Sequence, residues 1–164
     1  MDKIETGGLV YDRDNADTYE TTDLNRVGKF CEDIAITALD EVRTIDNMRH
    51  ALGVSKSKYT RADYSVPEID AKTDFAVTDT YTVEQMQRYL LNVQNTVDSF
   101  PPAEKAELPS SMRGLTAQGA NAIEKNLIGC AENLVDRANA TERNITNTAD
   151  AFTFGGEMVA GGIV

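Results

Sequence analysis

Residues 22–52, TDLNRVGKFCEDIAITALDEVRTIDNMRHAL, decide the fold. Leu24, Val27, Cys31, Ile34, Ala38, Val42 and Ile45 recur at three- and four-residue steps, the spacing that lines one face of an α-helix. Phe30, Leu39 and Met48 widen that stripe, while Glu32, Asp33, Asp40, Glu41 and Arg43 fall mostly off it. Thr22 is placed to accept a hydrogen bond from a first-turn amide, and Asp23 sits at the positive end of the helix dipole. Gly53 supplies the stop, since glycine takes the left-handed conformation that closes a helix. Some thirty residues at ~1.5 Å rise make a rod of ~45 Å, which needs partners along its length.

Two more stretches supply them. Thr82-Val-Glu-Gln85 is a capping box, flanked by Tyr81 and Met86 as a hydrophobic staple. Met86, Leu90, Val93, Val97 and Phe100 then step four, three, four, three, and Pro101-Pro102 end the helix. Leu115-Thr116 repeats the apolar-then-threonine start, and Ala120, Ile123, Leu127, Cys130, Leu134 and Ala138 form a third seam. Small residues there, including Gly119 and Gly129, allow close backbone approach. The helices are expected at about 22–52, 82–100 and 116–141.

The rest reads as connections and arms. Residues 1–21 form an N-terminal arm whose apolar nub is Leu9, Val10 and Tyr11. Residues 53–80 lack helical period, and a loop of that length needs docking, with Tyr64 and Phe75 among its anchors. Residues 145–164 form a C-terminal arm, in which Phe152 and Phe154 alternate with small residues before Gly155-Gly156 and Met158-Val159. That pattern predicts a short β-hairpin or extended arm. The expected architecture is therefore all-α: an elongated three-helix bundle over 22–144, with a long irregular loop and an arm at each end.

Charge and motifs narrow the function. A net charge of −11 over 164 residues argues against a nucleic-acid partner, whose phosphates repel an acidic surface. No apolar run is long enough to cross a bilayer, so no membrane partner is expected. Asp12, Asp14 and Asp17 invite comparison with a calcium loop, but Ala16, Asp17 and Asp23 occupy positions where that loop needs other residues. Cys31 and Cys130 fall on apolar seams and are expected as reduced core thiols. His50 is the sole histidine, near a helix C-terminus where a cation is favoured. No zinc spacing or phosphate-binding glycine loop occurs, so we expect no enzyme activity, metal or cofactor.

Tyr19-Glu-Thr-Thr-Asp-Leu-Asn-Arg-Val27 resembles the Y-N-x-T-D-L-N-R-V signature of a family of small proteins in the structural-gene modules of bacteriophages and prophages of Gram-positive bacteria. Gly8-Leu-Val-Tyr-Asp-Arg13 resembles that family's opening, and Lys72-Thr-Asp-Phe75 its K-T-D-W. Thr82–Leu90 is similar to T-x-E-Q-M-x-R-Y-L, and Met112–Glu124 to M-x-x-L-T-x-x-x-A-N-x-I-E. Phe154-Gly-Gly-Glu157-Met-Val-Ala-Gly161 is similar to its closing Y-S-G-E-x-x-x-G. A longer segment that family members carry before the T-D-L-N-R-V helix is nearly absent here, so its role does not transfer. The resemblance implies a virion component of the tail or baseplate-fibre apparatus, assembled in the host cytoplasm, with other virion proteins and its own copies as partners. Leu9, Val10, Tyr11, Tyr64, Phe75, Phe152, Phe154, Met158 and Val159 would be the contact residues. A head or collar attachment protein, or an acidic cytoplasmic binding module, is the alternative.

Overall fold

The computed structural model describes residues 1–54 and 66–161, with side chains described through Ala151. Three helices make up the body: α1 (Thr21–Ala51), α2 (Val83–Ser99) and α3 (Ala117–Gly161). Most seam residues read from the sequence are buried, with Val42, Met86 and Leu90 partly so. Val27, Cys31, Ile34 and Ala38 of α1, Val93 of α2, and Ile123, Leu127, Cys130, Leu134 and Ala138 of α3 have no exposed surface. Leu39 departs from this reading: it lies on the outer side of α1, exposed.

Local chemistry sets the helix ends. Thr82 Oγ1 accepts the Gln85 amide at 3.1 Å, and Gln85 Oε1 accepts the Thr82 amide at 2.9 Å. Thr116 Oγ1 accepts from the Gly119 amide at 3.1 Å. At α1 the cap is Glu20 rather than Thr22, because Asp23 Oδ2 accepts the Glu20 amide at 2.7 Å and so fixes the first turn two residues earlier. Past Ala51 the Gly53 amide donates to His50 O and the Val54 amide to Arg49 O, with Gly53 at φ +67°. This doubly bonded close tucks Val54 back into the core.

All three helices point the same way. Asp23 and Arg26 near the start of α1 meet Glu124 near the start of α3. Farther along, the Glu41 carboxyl faces that of Glu142 at much the same offset in sequence. Tyr81, just before α2, bonds Thr21 Oγ1 at 2.7 Å, and Thr96 later in α2 lies beside the Cys31 thiol. Parallel neighbours require long connections, and the described parts of these, residues 66–82 and 101–116, carry neither helix nor strand.

Asparagines on the helices hold those returning segments. Asn121 of α3 accepts the Arg13 amide and donates to the Arg13 carbonyl, both at 2.9 Å. Asn25 of α1 pairs in the same manner with Phe75, Asn92 of α2 with Asp70, and Asn126 of α3 with Ala106. Each amide side chain imitates a sheet neighbour, satisfying both polar groups of one backbone residue that a helix cannot otherwise reach. The segments approach closely. A Cβ on Gly28 would stand 3.2 Å from the Lys72 carbonyl oxygen, and one on Gly129 would collide with Pro102. Replacing the fully buried Asn126 by alanine is expected to cost about 1–3 kcal/mol in chemical denaturation, because two hydrogen bonds are lost together. Unchanged stability would show that the clamp is incidental.

The C-terminal expectation is overturned. Residues 145–161 form neither a hairpin nor an extended arm; α3 runs unbroken through them to Gly161, and no strand occurs among the described residues. The reason lies in pairing along α1. Leu134, Ala138, Thr141 and Ile145 repeat at four, three and four, matching Ile34, Ala38, Glu41 and Ile45, and all eight are buried. The hydroxyls of Thr141, Thr146 and Thr148 bond carbonyls four residues back, so each is satisfied without leaving the helix. Once a helix is propagated, a glycine costs only about 1 kcal/mol, too little for Gly155-Gly156 to force a stop.

Candidate interaction site

The N-terminal segment that reads as an arm is fastened to the bundle by a buried charge node. Arg13 Nη2 stands 2.8 Å from Asp23 Oδ1 and 2.7 Å from Glu124 Oε1. Arg26 Nη2 bonds the same two oxygens, reaching Glu124 at 2.9 Å. Glu124 is fully buried, and its second oxygen accepts the Val10 amide at 2.5 Å. Arg13 also donates to the Val10 carbonyl and lies 5.1 Å above the Tyr19 ring. The Tyr19 and Tyr89 hydroxyls bond each other beside it.

Two guanidinium groups and two carboxylates balance in charge, and the carboxylate oxygens are engaged by protein donors. Burial alone would raise the Asp23 carboxyl, but the Glu20 amide and the two arginines outweigh it and hold it below the usual range. Burial pushes the Tyr19 phenol far above its ordinary value, so it stays neutral. The arrangement is a clamp joining three chain segments. The sequence carried one signal of it. Glu124 falls four residues after Ala120 on an otherwise apolar seam, and a carboxylate there needs a buried cation.

The expected contact residues divide. Leu9 is half-buried and packs on the chain's own core, and Val10 is held by Glu124. Tyr11 is exposed. Phe75 is not available to a neighbour: it is buried, edge-on to Tyr81 at 5.4 Å with Lys72 over its ring. Tyr64 lies outside the described residues. Phe152, Phe154, Met158 and Val159 belong to the last turns of α3, and their side chains lie outside the described ones. Both cysteines are buried free thiols pushed up to about 12 by desolvation, as their place on the seams implies. His50 is exposed, 3.1 Å from an Arg49 nitrogen.

Among several surface concavities, two are lined by α2. A cleft of about 370 Å³ lies between α1, α2 and residues 70–75, floored by Val27, Cys31 and Tyr89 and rimmed by the Asp70–Arg88 ion pair at 3.1 Å. A larger groove of about 960 Å³ opens where the helices begin, lined by Tyr81, Val83, Met86, Leu90, Met112 and Leu115. Val83 is 68% exposed there, which marks apolar surface available to a partner. Sequence periodicity missed this groove because residues 110–115 that close it have none. Among the described residues no helix is long and apolar enough to cross a membrane, and no group of three or more potential metal ligands converges. Comparison with protein-family models, curated proteins and solved structures yields no match to this chain.

Proposed function

We propose that the chain is a structural subunit of a bacteriophage virion, belonging to the tail or its baseplate-fibre apparatus and acting by assembly with neighbouring subunits. One observation carries the reading. Five of the six stretches through which the sequence resembles the phage structural family contain residues that join its segments or cap its helices. Asp23, Arg26, Arg13 and Glu124 build the charge node. Asn25 and Asn121 are clamps, Phe75 is a clamped residue, and Thr82 with Gln85 caps α2. A signature spent on joints describes a scaffold. An enzyme family's signature would gather reactive groups around a substrate.

Mass spectrometry of purified particles from a host carrying the gene tests this. A virion subunit is expected at fixed stoichiometry with the other structural proteins; its absence from particles would favour a cytoplasmic binding module. Its presence in separated tails or in separated heads would distinguish a tail or baseplate position from a head or collar one.

A further inference from the structure

The groove at the start of the helices and the far end of α3 are related by the parallel arrangement. Because α1, α2 and α3 all begin at one end, that end gathers three helix N-termini, and the opposite end carries the continuation of α3. At the sequence offset shared by Asp23 with Glu124, which Arg13 bridges, and by Glu41 with Glu142, Ala51 is level with Phe152. The helix continues to Gly161, so its last turns overhang α1 by about 15 Å. That overhang reads TFGGEMVAG, with Glu157 its only charged residue in a chain of net charge −11.

We propose that copies of this chain associate head to tail, the overhanging turns of α3 from one copy seating in the groove between α2 and residues 110–115 of the next. Charge favours this pairing. Arg113 lines the groove, with the capped N-termini of α2 and α3 beside it, while the incoming segment brings Glu157 and the negative end of a helix. An apolar segment with a single acid is also the part of this acidic chain that a second acidic copy repels least. The contact joins two different surfaces at opposite ends of the molecule, so it propagates, giving a ring if the rotation closes and a filament if it does not. This inference rests on the assembly reading above and specifies one of its interfaces.

Sedimentation of the full chain over a wide concentration range, at moderate and high salt, tests it. We expect species larger than a dimer to grow with concentration. Val83→Glu places an acid at an exposed first-turn position that helix formation tolerates, and Phe154→Glu alters the overhang. Each is expected to weaken self-association at least tenfold with helix content unchanged. Mixed together, the two variants retain one intact surface each and are expected to form a one-to-one complex. A chain that stays monomeric throughout, association indifferent to both substitutions, or failure of the mixture to pair would overturn the proposal. If the chain is monomeric yet present in particles, this interface is wrong and the virion reading stands. If it polymerises but is absent from particles, the interface stands and the virion reading fails.

Discussion

Replacing Glu124 by alanine is expected to destabilise the fold by about 3–5 kcal/mol, the largest effect of any single substitution considered for this chain. The carboxylate has no exposed surface and faces two guanidinium groups, so its removal leaves two cations to share Asp23. Arg13 has almost no route to water, with a side chain 5% exposed. The Val10 amide loses its acceptor at the same time. Those losses have one cause and fall on the same three segments, so residues 1–20 are expected to detach before the helices melt. Urea denaturation would give the total. Hydrogen exchange would show protection vanishing first at the Val10 amide, which Glu124 holds, and at the Arg13 amide, which Asn121 holds. Glu124→Gln keeps the volume and an acceptor for Val10 while deleting the charge, and belongs between alanine and the parent. Because the node is screened from solvent, 0.5 M salt should change these differences little, unlike the exposed Lys29–Asp33 pair. A loss below 1 kcal/mol for Glu124→Ala would mean that the arm is held by apolar packing alone.

The helices were legible because their signals are local. The Thr82–Gln85 box, the Thr116 cap and Gly53 each act within a few residues, and the seams repeat at a helical period. The direction of the helices was not legible. Whether α2 runs with or against α1 depends on where residues 66–82 travel, and that is decided by Asn25 and Asn92 gripping Phe75 and Asp70. An asparagine on a helix looks the same in sequence whether it clamps a distant backbone or faces water. The continuation of α3 was hidden for a related reason. Thr141 and Ile145 are weak helix formers, and only their burial in one cluster with Ile45 supplies the driving force that propensity lacks. Of the expected contact residues, Phe75 was misassigned because an aromatic in a long loop has two uses: as an anchor to its own core and as a hook for a neighbour. Here the Asn25 clamp draws it inward.

The α1–α3 seam predicts an unusual response to pH. Glu41 occupies a seam position between Ala38 and Ile45, is almost wholly buried, and has an oxygen with no hydrogen-bond partner. Desolvation first, then its hydrogen bond and repulsion with Glu142, push the Glu41 carboxyl up to about 7. The amine of Met1, 3.5 Å from Glu142, partly offsets that repulsion. A carboxyl whose folded value is raised adds stability that is fully present below its unfolded value, near 4.5, and is lost as pH climbs through 7. Asp23 works in the opposite sense, its stabilisation present at neutral pH and lost only in acid. Stability is therefore expected to fall by on the order of 2–3 kcal/mol between about pH 4.5 and 7.5 through Glu41, with the acid-side loss from Asp23 below that window. Glu41→Gln is neutral at every pH and of equal size. It should flatten the slope across that window and raise the melting temperature at pH 8 above that of the parent. Thermal melts at unit steps from pH 5 to 9 would show this. A slope equally steep in Glu41→Gln would place the proton elsewhere and leave the buried acid of the α1–α3 seam as a permanently charged residue.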